Sequence, residues 1–167
     1  MTRMLLPLSM ISLLSIGAIF GFFYAWVCST MWGLDNTTPQ VAIKAMQAMN
    51  ASVRNIVFFP AFFLTPVFLS TTSFVAFRSG QLSAALLFGG AAALYLVGAF
   101  LVTVLVNVPL NEALAQVTVP DDEAMAQDIW RRYSAPWQFW NLLRTMASGA
   151  ALLLTGLALY RLAPQVG

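Results

Sequence analysis

The sequence predicts an all-α protein: an integral membrane bundle of four transmembrane helices, with an amphipathic helix in its first long loop. Three observations lead there. Only 8% of the 167 residues are charged and 60% are hydrophobic, whereas an average soluble domain carries about 25% charge. Mean hydropathy is +0.80. The few charges also leave four long gaps, from Arg3 to Asp35, Arg54 to Arg78, Arg78 to Glu112 and Arg144 to Arg161. A spanning helix needs about 20 mainly apolar residues. The chain therefore reads as one domain over 1–167, with spans at about 5–31, 55–77, 82–106 and 137–162.

The first span runs from Leu5 to Met31, too long for a signal peptide and not followed by a small-x-small cleavage pattern. Gly17 and Gly21 form a small-xxx-small pair, which predicts close approach of a neighbouring helix. Thr38-Pro39 is a cap-plus-proline start for an amphipathic helix over Val41 to Val53 that leads toward the second span. That span, Asn55 to Phe77, contains Pro60 and Pro66, tolerated in membranes where neighbours satisfy the freed carbonyls. Ser79-Gly80-Gln81 reads as a tight turn. The third span, Leu82 to Val106, is rich in Gly and Ala and so should pack closely. The fourth gap is too short alone, so its helix must begin near Trp137 and carry Arg144 at or inside the membrane boundary. Asp121, Asp122, Glu123, Asp128, Arg131 and Arg132 read as a solvated third loop.

Four spans place both long loops on one face and the termini with the tight turn on the other. The terminal face carries Arg3, Arg78 and Arg161 without acids, and the long-loop face five basic and all six acidic residues. A raw count of basic residues favours the long-loop face as cytoplasmic, but Arg54 and Arg144 sit at helix ends in what read as specific roles, so the termini are read as cytoplasmic, in a bacterial inner membrane. The formal charge of +2 and the lack of a basic run argue against nucleic acid. One cysteine and no histidine exclude an internal disulfide and histidine-ligated metals. No metal or cofactor is expected. Transport fits poorly, because no carboxylate lies within a span to relay protons.

Polar residues gather at the long-loop ends of the spans. Trp137, Trp140, Asn141 and Arg144 fall at i, i+3, i+4 and i+7, one helical face. Gln47, Asn50 and Arg54 are similarly spaced, as are Tyr24, Cys28 and Met31. Asn107-Val-Pro-Leu-Asn111 ends the third span, where Pro109 frees carbonyls that the asparagine amides can answer. Tyr24, Asn50, Asn107, Asn111, Trp137, Trp140, Asn141 and Arg144 are thus the candidate ligand-binding set, predicted to wall one cavity. None is assigned as catalytic. A plainer reading stands beside this one. Interfacial Trp and Tyr form aromatic belts, terminal arginines snorkel and asparagines glue helices together. Trp26, Trp32, Trp130 and Tyr133 fit it, with Asp35 a solvated loop residue or cap and Cys28 a small packing group. Gln47-x-x-Asn50-x-x-x-Arg54 also resembles Gln138-x-x-Asn141-x-x-Arg144, hinting at a tandem repeat.

These motifs resemble a known family. Gly21-Phe-Phe-Tyr24-Ala-Trp26, Met31-x-Gly33-Leu34 and Ala45-Met46-Gln47-x-x-Asn50 are similar to its start. Tyr95-Leu-Val-Gly98, Thr103, Asn107-Val108-Pro109-Leu110-Asn111 and Trp137-x-x-Trp140-Asn141-x-x-Arg144-Thr145 are similar to its later marks. The family is that of the anthrone oxygenase-like four-helix membrane proteins, largely bacterial, which includes fungal enzymes that oxidise anthrones to anthraquinones. Trp32 stands where the family often has proline, and Leu142 where it often has histidine, the natural general base. With no base evident, the first reading is a membrane protein that binds a lipid, quinone or pigment, or serves as a subunit of a membrane complex. Membrane lipid, a hydrophobic small molecule, and a complex partner or second copy are the partners it implies. The alternative, implied by the resemblance, is a cofactor-independent oxygenase acting on an apolar phenol. There Arg144 would stabilise the substrate anion, with amide donors from Asn107, Asn111 and Asn141, and the only bases on offer are Tyr24, Asp35 and Glu112.

Overall fold

The computed structural model describes residues 2–163, with side chains from Met4 onward; the side chain of Arg3 and residues 164–167 lie outside the described part. The first rod is Thr2–Ala25 (α1), a π-helical turn at Trp26–Thr30, and Met31–Asp35 (α2). Pro39–Ser52 forms α3 and Phe58–Arg78 forms α4. Leu82–Tyr95 (α5) continues through π-helical turns at Leu96–Leu101 and Thr103–Asn107 into Val108–Ala115 (α6). The last helix, Glu123–Leu162 (α7), is 40 residues long. No strand occurs among the described residues. The four rods Met4–Asp35, Phe58–Arg78, Leu82–Ala115 and Glu123–Leu162 are each long and apolar enough to cross a membrane.

Consecutive rods are antiparallel neighbours and α1 closes the ring against α7, the up-down-up-down arrangement that short connections favour. Their shared core takes Ile16, Ile19 and Phe23 from α1, Phe62 and Leu69 from α4, Phe88 and Tyr95 from α5, and Ala151 and Ala158 from α7. Lipid removes the apolar drive between helices, so packing and internal hydrogen bonds decide association. Pro66 has no N–H to offer Phe62, and the Tyr95 hydroxyl donates to that freed carbonyl at 2.7 Å. The tight turn forms as expected. Gly80 takes φ +76, and the N–H groups of Gln81 and Gly80 reach back to Ala76 and Phe77, each at 3.0 Å. Only glycine adopts that backbone without strain.

Several boundaries differ from the sequence reading. The second span starts at Phe58 because Asn55 interrupts the chain: its Oδ1 accepts from the N–H groups of Val57 and Phe58 at 2.8 and 2.9 Å. The third loop is largely helix. Asp122 caps α7 by accepting from the Met125 N–H at 2.8 Å, and the helix runs unbroken through Pro136. Forty residues span about 60 Å, twice the hydrocarbon core of about 30 Å, so the first part of α7 stands clear of the bilayer. Arg131 and Arg132 are solvent-facing as read, but on this helix, paired with Asp128 at 3.1 and 2.7 Å.

That projecting part of α7 supports a second core. Met31 and Leu34 of α2, Ile43 and Met46 of α3 and Leu114 of α6 pack on Trp130, Tyr133 and Trp137. Asp35 is no loose loop residue. Its carboxylate accepts from Trp130 Nε1 at 2.8 Å, Ser134 Oγ at 3.0 Å and Gln138 Nε2 at 2.9 Å. Gln47 Nε2 donates to the carbonyls of Leu114 and Val117 at 2.8 and 2.9 Å, fixing α3 on the end of α6. The predicted amphipathic helix is thus a lid seated on the bundle.

The Gly17–Gly21 pair does not mark the closest helix contact. A Cβ on Gly21 would meet nothing within 4 Å, and one on Gly17 only Leu152 at 3.9 Å. The tight place is Gly98, whose Cβ would fall 2.4 Å from that of Ala147. Gly98→Ala should therefore lower stability by about 1–3 kcal/mol, the usual cost of overpacking, whereas Gly21→Ala should be neutral; thermal unfolding in detergent compares them.

Candidate functional site

Where the lid meets the bundle, the helices enclose a cavity of about 320 Å³. Its walls are mostly aromatic. Phe22, Phe23 and Trp26 come from the first rod, and Phe58, Phe59, Phe62 and Phe63 from the first turns of α4. Thr103, Val104, Val108 and Asn111 contribute from the third rod, Trp137 and Arg144 from α7, and Met49, Asn50, Val53 and Arg54 from the lid and the break after it. Phe59, Phe63 and Val104 line it and are also 42%, 48% and 42% exposed. The cavity therefore has a side window between α4 and the third rod, facing the bilayer. On the lid side, Arg54 pairs with Glu112 of α6, both half-exposed.

Among the described residues Arg144 is the only charge buried in this space, 4% exposed. Its Nη1 donates to Thr103 Oγ1 at 3.1 Å and its Nη2 to Asn141 Oδ1 at 2.9 Å. Thr103 in turn donates to Ala99 O, and Asn141 Nδ2 donates to Phe23 O at 3.1 Å. The guanidinium lies 4.6 Å from the Phe23 ring centre and 5.3 Å from that of Trp137, within cation–π range. No carboxylate pairs with it among the described residues, and its Nε has no partner. A buried cation without a counter-ion costs several kcal/mol. Neutral oxygens and ring faces offset part of that cost. An anionic atom in the cavity would offset more.

A second chain of bonds ties the lid to the site. Asn50 Nδ2 donates to Tyr133 Oη at 3.2 Å, Tyr133 donates to Asn111 Oδ1 at 2.8 Å, and Trp137 Nε1 donates to the same oxygen at 2.9 Å. The asparagines flanking Pro109 thus bond across to α7 rather than to local carbonyls: Asn107 Nδ2 reaches Trp137 O at 3.4 Å, while its Oδ1 is buried without a partner.

Of the eight candidates, Asn50, Asn111, Trp137 and Arg144 line the cavity. Asn141 stands behind Arg144 and orients it, and Asn107 stands behind Trp137. Tyr24 and Trp140 are elsewhere. Tyr24 is 49% exposed and stacks on Phe20 at 5.7 Å, since the buried stripe Ile16, Ile19, Phe23 turns the next residue outward. Trp140 sits at the edge of its face against Phe139, at 5.4 Å. Sequence reasoning missed Tyr133, filed with the aromatic belt, as well as Thr103 as an arginine partner and the Phe58–Phe63 wall. The doubled motif has no doubled role: Arg54 is a half-exposed ion-pair member, whereas Arg144 is buried.

A family model described as Anthrone oxygenase matches residues 52–154, more than half of the chain. The chain belongs to the anthrone oxygenase family. No curated protein and no solved structure matches it. The stretch shared with the anthrone oxygenase family holds the α4 phenylalanines, Thr103, Asn111, Trp137 and Arg144, but not the first rod or most of the lid. The two departures from the anthrone oxygenase pattern, Trp32 and Leu142, lie together on a separate cleft between the first rod and α7, on the far side of Asn141. Leu142 does not face the Arg144 cavity.

Removing the Tyr133 hydroxyl would leave the Asn50 amide without its partner, at about 1–3 kcal/mol, while Asn111 Oδ1 keeps its bond from Trp137 Nε1. Tyr133→Phe should therefore loosen the lid, seen as faster hydrogen exchange over α3 with the spans unchanged.

Proposed function

We propose that the chain binds a flat hydrophobic molecule bearing an anionic or enolisable oxygen, taken from the bilayer through the side window and held with that oxygen at Arg144. The observation that carries this reading is the unpaired, buried guanidinium facing an aromatic-walled cavity. A volume of about 320 Å³ lies at the lower end of the small-molecule range of roughly 300–1,000 Å³. Phenylalanine and tryptophan faces suit a fused ring system, and the arginine selects a negative or polarised oxygen over a plain hydrocarbon. Quinones, pigments and polycyclic phenols share that chemistry.

Membership of the anthrone oxygenase family and the same guanidinium support a catalytic reading too. A phenolic anthrone loses a ring-activated C–H proton to become an enolate, and Arg144 is positioned to stabilise that anion. The enolate can pass electrons to O2, so that a CH2 group and O2 become a ketone and water without a cofactor. The cavity wall holds no carboxylate or histidine, so proton loss would run to water at the lid, driven by the acidity that Arg144 confers. We place the protein in a bacterial inner membrane with its termini cytoplasmic, a reading favoured by Arg3, Arg78 and Arg161 on a terminal face without acids. Green fluorescent protein fused after Gly167 should then fluoresce; a dark fusion beside a fluorescent one at a known cytoplasmic terminus would reverse the orientation.

Binding and oxidation separate experimentally. In detergent, 2-hydroxy-1,4-naphthoquinone, ionised at neutral pH, should quench Trp fluorescence on binding. One charge-assisted hydrogen bond contributes about 1.5–3 kcal/mol, so Arg144→Met should weaken binding about 10- to 100-fold, while Arg131→Ala and Arg132→Ala change nothing. Equal affinity in Arg144→Met sinks the site. Oxygen uptake with a phenolic anthrone, corrected for spontaneous autoxidation, then tests catalysis: uptake lost in Arg144→Met supports the oxygenase, and binding without uptake restricts the role to binding.

A further inference from the structure

A second cavity, of about 500 Å³, adjoins the first. The two share Phe22, Trp26, Met49, Val53 and Phe58 as a common wall. They lie on opposite sides of the first turn of α4, where the Phe22 and Phe58 rings meet at 4.7 Å. Beyond that wall the second cavity is bounded by Ala18 and Ile19 of α1 and by Val57 and Ala61 of α4. Val57 is 81% exposed, so this space also opens toward the lipid, between α1 and α4.

Its chemistry differs from that of the first. It holds no charged side chain, and its two polar residues belong to the lid break and are satisfied there. Ser52 Oγ donates to Met49 O at 3.0 Å. Asn55 Oδ1 caps Val57 and Phe58, and its Nδ2 donates to Ser52 O at 2.6 Å. Apart from the Trp26 indole N–H, on the wall shared with the first cavity, the remaining lining of this space is apolar. Met49 and Val53 line both cavities from the lid side. The shared lining makes the two spaces adjacent, so a flexible chain on a molecule held at Arg144 is close enough to enter the second.

We infer that the second cavity is the tail subsite of the same ligand, which is an amphiphile: a flat oxygen-bearing head at Arg144 joined to an alkyl or isoprenoid chain lying between α1 and α4. This rests on the reading of the Arg144 cavity given above and adds a class of ligand to it. Size supports the division. The head space, about 320 Å³, fits a small fused ring system, whereas the annex, about 500 Å³, is the larger and is lined mainly by apolar side chains. A compact ligand would leave that annex to bulk lipid chains. A tailed one fills it without exposing its head.

The test compares two ligands across variants, so that partitioning into detergent cancels. The probes are 2-hydroxy-1,4-naphthoquinone and its 3-decyl derivative. Ala61 and Ala18 line the annex and not the Arg144 cavity, so Ala61→Trp and Ala18→Trp each add bulk on the annex side; two positions guard against one variant failing to fold. Both should weaken the decyl compound at least fivefold and leave the tail-less compound within twofold. If the decyl compound binds both variants as it binds the unaltered protein, its tail lies elsewhere, through the Phe59–Phe63 window, and the inference is wrong. Equal weakening of both probes also overturns it, because the annex would then act only through the shape of the head site. Should neither probe bind the unaltered protein, or both bind Arg144→Met without loss, the Arg144 reading itself fails and takes the tail subsite with it.

Discussion

A guanidinium held in an apolar bundle without a carboxylate sets the terms for its surroundings. Its Nε finds no partner, its two Nη donors find neutral oxygens and its plane finds ring faces, and each of those partners must itself be held. Asn141 can accept from Arg144 because its own amide is anchored on Phe23 O, and Thr103 because its hydroxyl is spent on Ala99 O. The first and third rods, which supply Phe23, Thr103 and Ala99, carry π-helical turns, at Trp26–Thr30 and at Leu96–Leu101 with Thr103–Asn107. Such turns widen a helix locally and re-aim the residues that follow. Gly98 lies inside one of them, where backbone meets Ala147 too closely for a side chain. Tight packing directly below the site, and slack aromatic packing around it, are two sides of one arrangement.

The lid follows from the same constraint. A cavity containing an unpaired cation needs shelter from water if that cation is to act strongly on a ligand, because its field is far weaker in a high dielectric. α3 supplies the roof, and the projecting half of α7 supplies its support. Asp35, Gln47 and the Asn50–Tyr133–Asn111 chain fix that roof by hydrogen bonds. The half-exposed Arg54–Glu112 pair closes its edge. Exposed pairs of this kind contribute about 0–1 kcal/mol, so the edge is the weakest seam in the cap, while the side window needs no opening at all.

How far the sequence disclosed this depends on what each residue type can signal. The spans were legible because lipid demands long apolar runs. Arg144 was legible because charge in such a run is costly, and the i, i+3, i+4, i+7 spacing put Trp137 and Asn141 on its face. Tyr24 and Trp140 were misread for a physical reason: helical spacing fixes relative angle, not which side of the helix faces in. The neighbouring Phe23 carries the inward position, and a phenylalanine in a membrane span gives no sign of its direction. The wall at Phe58–Phe63 was silent for the same cause. The length of α7 was readable in principle, since Asp122 begins a first turn and Ala126, Trp130, Tyr133 and Trp137 follow at helical intervals. A cluster of charges around Asp128 masked that stripe.

The anthrone oxygenase family match begins at residue 52 and ends at residue 154, and this boundary separates two kinds of residue at the site. Within it lie the cation, Thr103, Asn141 and the α4 aromatic wall. Outside it lie Ala18, Ile19, Phe22, Trp26 and Met49, nearly half of the annex lining. The guanidinium and its Thr103 and Asn141 partners are carried by the shared stretch, while the first rod reaches them through the Phe23 carbonyl and ring. Ala18, Ile19 and Met49 line the two spaces and touch none of these groups in the hydrogen-bond network. If a ligand's oxygen is fixed by that one guanidinium, discrimination among apolar ligands has to come from these apolar walls, since a ring face and a methyl group offer selectivity only through fit.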